Sequence, residues 1–428
     1  MRWLYTCLYA LLIPVIFLRL LWRSIKSPGY RQRWGERLGK VSFVPEGDGC
    51  IWVHAVSVGE TLAAVPLIKA IQARWPEKLV VVTTMTPTGS TQVHRVFGDS
   101  VFHVYTPYDL PFLVSRFLDR VRPQLTIIME TELWPNLIHG CYVRHIPVLV
   151  ANARLSDKSF RGYQRIARLS RSMLTEVGMI AAQTEADKRN FVQLGLPATQ
   201  AIVTGNIKFD LTLEESTRQA AAFLRQEIGK NRPVWIVAST HNGEDSIVVD
   251  AHQQLLQKFS NLLLILVPRH PERFDEVAKL CEARGLKVVR RSSGKTPQPH
   301  HQLWLGDTLG ELLMLLGIAD VCFIGGSLVP VGGHNMIEAA AWGKPVLTGP
   351  HLFNFKEASD LLIEAGAMTV SESADQIAQS VDRLLSDDNA RLKQGEQALA
   401  VANANRGALQ RLFELVENQL ESSTARSH

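Results

Sequence analysis

Short apolar runs alternate with longer stretches of helical periodicity along almost the whole chain. Six such runs lie in the first half and six in the second. They read IWVHAV, LVVVTTM, LTIIME, IPVLVAN, MIAAQ and AIVTG, then VWIVAST, LLLILVPRH, LKVVRR, HQLWLGD, ADVCFIGGS and KPVLTGP. Strands that are apolar on both faces indicate a parallel sheet with helices on both sides. The sequence therefore predicts the α/β class with doubly wound sheets.

The alternation pauses once, over residues 212–233, and then restarts. A chain of 428 residues is also too long for one hydrophobic core. We therefore expect an N-terminal anchor with a basic segment over residues 1–40 and two Rossmann-like domains, over 41–210 and 211–428. Ligands bind doubly wound sheets beyond the carboxyl ends of the strands. Functional residues are therefore expected just after strands, in a cleft that the two domains face.

The N-terminus has its own charge pattern. An uncharged apolar run extends from Trp3 to Leu18, and residues 19–40 then carry seven basic side chains against the single acid Glu36. Outside this basic segment the charges nearly balance, so a nucleic-acid-binding face is not expected. The run predicts a membrane-anchor helix that either spans the bilayer or lies in its interface. The positive charges after it predict that the rest of the chain is cytoplasmic.

Several types of site are not expected from the motifs. The five cysteines are scattered and form no CxxC pair, which argues against a disulfide framework or a zinc site. The sequence contains no HExxH, no DxD triplet and no GxxxxGK[ST] loop. We therefore expect neither a metal nor a cofactor, and phosphate groups would have to be bound by Arg, Lys and helix N-termini.

The segment GGSLVPVGGHNMIEAAAWGKPVLTGP, residues 325–350, places two glycine pairs directly before a helix predicted to start near Asn335. Free N–H groups at a helix start suit a phosphate, and Glu338, one turn further, can accept hydrogen bonds from a ribose diol. Asn335 and Glu338 also have the spacing of a capping box, which requires no ligand. The four preceding glycines favour nucleotide binding over a cap alone.

Two further motifs have the same ambiguity. Ser57 and Glu60 follow the run IWVHAV with capping-box spacing, and Thr308 and Glu311 do so after LWLGD. The second pair indicates a cap whose amides can also contact a ligand. Glu60 is either a cap residue or, where burial raises its pKa, a general base.

Other polar residues also follow strands. Pro268, Arg269 and His270 end one apolar run, and an arginine there can bind a phosphate through two parallel hydrogen bonds. Glu130 follows LTII, and Lys208 lies near the junction of the domains. Each alone would usually be a surface or capping residue, but their shared position after strands indicates one site.

Longer motifs closely resemble the 3-deoxy-D-manno-octulosonic acid (Kdo) transferases over nearly the whole chain. They are RQRWGERLG, HAVSVGETLAA, TTMTPTG, METELWPN, ANARLS, LVPRHPERF and FIGGSLVPVGGHNMIEAAAWGKPVLTGPHLFNF. The resemblance implies a GT-B fold, an inverting mechanism and CMP-Kdo as donor. It also implies a tetraacylated disaccharide acceptor, the lipid A precursor lipid IVA, on the cytoplasmic face of the bacterial inner membrane.

The resemblance further implies the residues of the site. Glu60 matches the family's catalytic base, and Glu130 and Lys208 match its helper residues. The implied CMP contacts are Pro268, Arg269, Leu309, Gly310, Glu311, Asn335, Met336, Ile337 and Glu338. Two alternatives stay open: a GT-B transferase that uses a UDP-sugar, and a non-catalytic nucleotide-sugar-binding or scaffold protein at the membrane.

Overall fold

The structure, a computed structural model, describes residues 1–42, 49–211 and 213–425. Its strands are β1 Cys50–His54, β2 Leu79–Thr84, β3 Phe102–Tyr105, β4 Pro123–Met129, β5 Val148–Ala153, β6 Met179–Ala182, β7 Ala201–Val203, β8 Val234–Thr240, β9 Leu263–Pro268, β10 Val288–Arg290, β11 Leu303–Leu305, β12 Val321–Ile324, β13 Val346–Thr348 and β14 Met368–Val370. Its α-helices are α1 Arg2–Lys26, α2 Trp34–Arg37, α3 Val58–Arg74, α4 Pro87–Phe97, α5 Pro111–Val121, α6 Pro135–Tyr142, α7 Asp157–Arg165, α8 Ala167–Leu174, α9 Glu185–Gln193, α10 Glu215–Ile228, α11 Glu244–Leu256, α12 Phe274–Ala283, α13 Leu312–Ile318, α14 Ile337–Ala341, α15 Lys356–Glu364, α16 Ala374–Ser386, α17 Asp388–Ala404 and α18 Ala408–Ala425.

The chain forms two compact units. The N-terminal unit comprises residues 1–210 together with the chain from Gly407 onward, and the C-terminal unit comprises residues 211–406. Each unit contains one seven-stranded sheet in which neighbouring strands are parallel. The strand orders are β3-β2-β1-β4-β5-β6-β7 and β10-β11-β9-β8-β12-β13-β14. The order reverses between β1 and β4 in the first sheet and between β8 and β12 in the second, and such switch points are where these sheets bind ligands.

The buried strands explain why the alternation was visible in the sequence. Within β1, Trp52 packs into the core on one face of the sheet, whereas Ile51 and Val53 pack into the core on the other face. A strand covered on both sides needs apolar residues at every position. All twelve runs read from the sequence contain strands, and the predicted doubly wound α/β architecture is confirmed.

Helix α1 contacts the N-terminal unit along its whole length. Leu20 is buried, and Tyr9, Ile13, Ile16 and Phe17 pack against Tyr108, Leu110 and Leu113. Near the start of α1, Asn136 donates its side-chain N–H to Thr6 Oγ1 at 3.0 Å. Near the end of the helix, Arg31 Nε donates to Ser24 Oγ at 2.7 Å. The opposite face is apolar and exposed; Leu11, for example, is 75% exposed. By length and composition, Arg2–Ile25 is a candidate membrane span.

The basic segment after α1 is only partly a surface feature. Arg37 is buried, donates through Nη2 to the carbonyl of Met85 at 3.0 Å, and stacks over the ring of Tyr105. Burial lowers the pKa of Arg37. Arg33 pairs with Glu36 at 2.7 Å. The side chains of these two arginines are therefore held by contacts within the fold and do not belong entirely to the surface.

Helix α18 corrects the expected extent of the second domain. Its residues Leu412, Val416 and Leu420 are buried in the core of the N-terminal unit, between α3 and the sheet. Phe413 packs its ring 5.7 Å from that of Trp75, and Glu417 pairs with Arg74 at 3.0 Å. Residues 211–428 are therefore not one domain, because the last helix buries its apolar face on the first unit.

Candidate active site

Glu60 lies in the first turn of α3, just after β1 at the switch point of the first sheet. Ser57 is the N-cap residue, and its Oγ accepts a hydrogen bond from the Glu60 backbone N–H at 3.4 Å. The Glu60 carboxylate in turn accepts from the Val56 N–H at 2.7 Å and from the Ser57 hydroxyl at 2.8 Å. The capping contacts therefore exist, and they hold the carboxylate in one orientation.

The surroundings of Glu60 also suit a general base. The residue is only 8% exposed. Burial raises the pKa of its carboxyl to about 7, with the negative charges of Glu132 and Glu130 acting in the same direction and the hydrogen bonds from Ser57 and Val56 opposing. A carboxyl with a pKa near neutrality can both accept and release a proton under physiological conditions. Cap and base are therefore compatible roles for Glu60.

Glu130 and Lys208 form an ion pair in the N-terminal unit. Glu130 directly follows β4, has a left-handed backbone with φ of 55°, and accepts a hydrogen bond from Lys208 Nζ at 3.1 Å. Two residues later Glu132 accepts from the indole N–H of Trp134 at 2.9 Å, and burial raises the pKa of Glu132. A non-glycine residue in this backbone region is strained and is found preferentially at functional sites. The structure thus brings the three sequence-predicted residues Glu60, Glu130 and Lys208 to the carboxyl edge of one sheet.

Asn152 is a positioning residue that the sequence analysis did not single out. It lies in β5, is almost fully buried, and has φ of 53°. Its Oδ1 accepts the backbone N–H of Ile207 at 3.0 Å, directly before Lys208. Gln183 donates to the Asn152 carbonyl at 2.9 Å and accepts from Asn206 at 3.1 Å. This chain of amides holds the short turn that carries Lys208; the motif ANARLS was its only sequence signal.

In the C-terminal unit, the glycine-rich segment starts at the end of β12. Gly326 has φ of 67°, and a Cβ there would lie 2.8 Å from the His334 ring. Gly332 has φ of 106°, and a Cβ there would lie 2.5 Å from Phe353. The glycines are therefore required by backbone conformation and close packing, whether or not a ligand is bound.

The buried carboxylate of Glu244 organises the start of this segment. It accepts four backbone N–H groups, from His241 at 2.8 Å, Gly326 at 2.7 Å, Ser327 at 2.9 Å and Leu328 at 2.8 Å. The backbone amides of the loop that contains Gly325 and Gly326 thus bind a carboxylate of the protein itself. The sequence analysis missed this role, because a glutamate at the start of a helix is usually a helix-terminus residue.

The helix predicted to start near Asn335 begins at Ile337 and has five residues. The side-chain oxygen of Asn335 accepts the Ile337 N–H at 3.2 Å, and its side-chain N–H donates to Glu338 Oε1 at 3.2 Å. The cap therefore differs from the capping box that the spacing predicts. Burial raises the pKa of Glu338, and the hydrogen bond from Asn335 and the charge of Arg269 oppose this shift. The charge of Arg269 therefore acts on Glu338.

The remaining predicted contacts differ in how they can meet a ligand. The side chains of Met336 and Ile337 are fully buried, so these two residues can offer a ligand only their backbone groups. Pro268 is also buried. Helix α13 starts at Leu312, and the carboxylate of Glu311 is bound by Arg291 at 2.6 and 2.9 Å. Among the described hydrogen bonds and ion pairs, none joins residues 309–311 to Arg269 or Glu338.

Three histidines cluster beside Arg269. His241 and His334 stack at 5.1 Å with their Nε2 atoms 2.8 Å apart, and His270 lies 5.1 Å from His241. Burial, followed by the charge of Arg269, lowers the pKa of His334 to about 4. The His334 imidazole is therefore neutral at physiological pH. In the sequence, His270 stands out only as a residue that follows an apolar run, and nothing there groups the three histidines.

Comparison with known proteins gives the same result along both units. Residues 32–211 match the family model described as 3-deoxy-D-manno-octulosonic-acid transferase, and residues 246–401 match that of glycosyl transferases group 1. A 3-deoxy-D-manno-octulosonic acid transferase of Haemophilus influenzae is 45% identical over 98% of this chain and 99% of its own length. The Bordetella pertussis enzyme of the same name is 36% identical, with coverages of 98% and 99%.

A solved structure supports the GT-B fold alone. UDP-GlcNAc 2-epimerase from Neisseria meningitidis, bound to UDP-GlcNAc, covers 87% of this chain and 99% of its own, with a TM-score of 0.55 and 15% identity. The near full-length identity to the two transferases is what establishes the family. The chain therefore belongs to the family of 3-deoxy-D-manno-octulosonic acid transferases.

Proposed function

We propose that this transferase moves Kdo from CMP-Kdo to a hydroxyl of lipid IVA, with inversion at the anomeric carbon. The observation that carries the proposal is the Glu60 carboxyl, which is buried, oriented by two hydrogen bonds and has a pKa of about 7. A residue with these properties can remove a proton from a sugar hydroxyl at neutral pH.

In the proposed step, the Glu60 carboxylate accepts the proton of the acceptor hydroxyl. The hydroxyl oxygen forms a bond to the anomeric carbon of Kdo while the bond from that carbon to the phosphate oxygen breaks. The electron pair of the broken bond leaves with the phosphate of CMP. Because attack comes from the face opposite the leaving group, one displacement inverts the configuration.

Glu130 and Lys208 are proposed as helper residues. Their 3.1 Å ion pair places a positive charge close to the acidic side chains that surround Glu60. Without Lys208 the uncompensated charge of Glu130 would raise the pKa of Glu60 further and leave less of the base ionised. The backbone strain at Glu130 and the amide chain through Asn152 support a fixed geometry for this pair.

The nucleotide is proposed to bind the C-terminal unit. Arg269 supplies a cation for the phosphate, and the Glu338 carboxyl can accept hydrogen bonds from the ribose diol. Residues 335–337 and 309–311 contribute backbone groups, since the side chains of Met336 and Ile337 are buried and the carboxylate of Glu311 is bound by Arg291.

At the membrane, we propose that α1 lies in the cytoplasmic interface of the inner membrane and does not cross it. One face of α1 packs on the N-terminal unit from Thr6 to Ser24, and polar residues of that unit contact both of its ends. A helix in the middle of the bilayer would take those polar groups to a depth without water. The exposed apolar face, with Trp3 and Trp22 near its two ends, suits an interfacial helix.

The experiment is a reaction of purified enzyme with lipid IVA and a panel of donors, followed by mass spectrometry and NMR spectroscopy of the product. We expect Kdo addition from CMP-Kdo, no addition from UDP-sugars, and an anomeric configuration in the product opposite to that in the donor. Turnover with a UDP-sugar and none with CMP-Kdo would overturn the proposal. The product mass also gives the number of Kdo residues added.

A further inference from the structure

The N-terminal unit contains an apolar cavity of about 240 Å³ beneath α1. One wall is formed by Tyr5 and Tyr9 of α1 and another by Trp134. A third is formed by Tyr163 of α7, Met173 of α8 and Ile166 between these two helices. The Ser170 hydroxyl, also in the lining, donates to the carbonyl of Tyr163 at 2.9 Å. The volume is smaller than that of the usual pockets for drug-sized ligands, and the lining suits a hydrocarbon better than a sugar.

Trp134 connects this cavity to Glu132, whose negative charge acts on Glu60. Its ring lines the cavity, while its indole N–H donates to Glu132 Oε2 at 2.9 Å. Its ring also meets that of His54, at the end of β1, edge-to-face at 5.7 Å. The cavity therefore lies between α1, the candidate membrane helix, and the acidic edge of the first sheet. This arrangement would accommodate an amphiphile whose apolar chain lies in the cavity near α1 and whose sugar head lies at the acidic edge of the sheet.

The helices beside the cavity carry exposed positive charge. Five basic side chains in α7 and α8 are exposed: Lys158, Arg161, Arg165, Arg168 and Arg171. Within the described ranges no carboxylate lies within 4.0 Å of their charged nitrogens to form a salt bridge. Lys158, Arg161 and Arg165 share one helical face through spacings of three and four. This surface is suited to phosphate groups.

Ile166 lies where the apolar and basic features meet. It separates α7 from α8 with φ of −115° and ψ of 36°, lines the cavity, and is 49% exposed. A large apolar side chain that is half exposed between exposed arginines marks the mouth of the cavity. We propose that the cavity binds one fatty acyl chain of the lipid acceptor, with the basic surface of α7 and α8 on the acceptor's phosphates. This inference rests on the proposed function and names a subsite of the same reaction.

The test compares two acceptors, detergent-dispersed lipid IVA and its deacylated, still phosphorylated disaccharide. Ile166→Glu places a charge at the cavity mouth on an already exposed position. We expect it to raise KM at least tenfold for lipid IVA, about the effect of losing the burial of two methylene groups. KM for the deacylated disaccharide should rise much less, because only repulsion between the new carboxylate and its phosphates acts there, and kcat for both acceptors should not change. Ile202→Glu, which alters an isoleucine 41% exposed in β7, is the matched control.

A second variant separates the charges from the cavity. Arg161→Gln with Arg165→Gln should raise KM for both acceptors, because both keep their phosphates. Arg95→Gln, an exposed arginine on α4, is the control. Acceptors with successively shorter acyl chains should show a rising KM with wild-type enzyme and a flatter series with Ile166→Glu.

The possible failures can be told apart. No Kdo transfer by wild-type enzyme to either acceptor would refute the proposed function. Equal KM values for the two acceptors with wild-type enzyme would leave the function intact and overturn the acyl-chain site. An equal effect of Ile166→Glu on both acceptors would also overturn it. Reduced binding of this variant to phospholipid vesicles, with unchanged KM in detergent, would assign the surface to bulk lipid instead.

Discussion

Glu244 Oε2 accepts the backbone N–H of Gly326 at 2.7 Å, although the two residues are 82 positions apart. Glu244 is the first residue of α11, after β8, and Gly326 follows β12, so the contact joins the two strands that flank the switch point of the second sheet. Because three more amides bind the same carboxylate, the loop is held in place before any nucleotide arrives. Gly326 is therefore fixed in a left-handed conformation by its partner as well as by its neighbours.

Glu244→Gln should destabilise the C-terminal unit. The glutamine amide group would face backbone N–H donors, and at least one buried donor would lose its acceptor. We expect the free energy of unfolding to fall by about 2 kcal/mol or more. Chemical denaturation gives the measurement, with Glu272→Gln as control because the Glu272 side chain is 75% exposed. An unchanged transition would show that the four amides do not depend on the negative charge.

Glu60→Gln should abolish proton removal while keeping a hydrogen-bonding group in the turn. We expect kcat to fall by about 100-fold or more, the usual contribution of a general base. CMP affinity, measured by calorimetry, should stay the same, since the proposed nucleotide contacts are in the other unit. Glu77→Gln, at an exposed position just after α3, is the control. Near wild-type turnover would reduce Glu60 to a helix cap.

The rate of Kdo transfer should depend on pH through the same group. Burial raises the pKa of Glu60 to about 7, so below that value the carboxyl is protonated and inactive. We expect kcat/KM to rise with pH to a plateau above about 7.5, and this limb to be absent from the residual activity of Glu60→Gln. Since the folded pKa exceeds the ordinary value, protonation stabilises the fold at low pH, and this contribution is lost as the pH rises through about 7. A rise in kcat/KM that occurs well below pH 6 would contradict the buried environment of Glu60.

Glu338→Ala should weaken CMP binding more than it affects folding. The helix it begins has five residues, so the cap contact with Asn335 stabilises little regular structure. Asn335→Ala, by contrast, removes the acceptor of the Ile337 N–H and should cost about 1 kcal/mol of stability as well. Calorimetry with CMP and thermal denaturation separate the two effects. A lower melting temperature with unchanged CMP affinity for Glu338→Ala would leave only the capping role.

The membrane contact should come from α1 and from surface charges other than Arg33 and Arg37, which are engaged inside the fold. Replacing Leu8, Leu11 and Val15 of the exposed face by Gln should shift the protein from the pelleted to the soluble fraction in sedimentation with anionic vesicles. The remaining association should weaken at high salt, because exposed charges are then screened. Full pelleting of the variant at high salt would mean that another apolar surface carries the contact.

The sequence predicted those features that depend on residues near one another in the chain. The buried strands were visible as apolar runs, Glu130 and Arg269 were found because each directly follows a strand, and Glu60 was found at the start of the helix after β1. The strands that were missed, β3 and β14, are short edge strands with partly exposed residues, so their pattern is weak.

Features made by distant residues could not be predicted in this way. Glu244 holds amides about 80 positions away, and Asn152 holds a turn 55 positions away, so nothing in their local sequence reveals these partners. Arg33 and Arg37 look like surface charges until their contacts with His103 and Met85 are known.

The return of α18 to the first unit affects how the protein is made. The ribosome synthesises α1, the strands of the first sheet and the helix that carries Glu60 first, but the core of this unit still lacks Leu412, Val416 and Leu420. At typical elongation rates, translation of the intervening C-terminal unit takes roughly 10–40 s. During that time the incomplete first core exposes the apolar groove that α18 will cover. The N-terminal unit is therefore the last part of the protein to be completed, although its synthesis begins first.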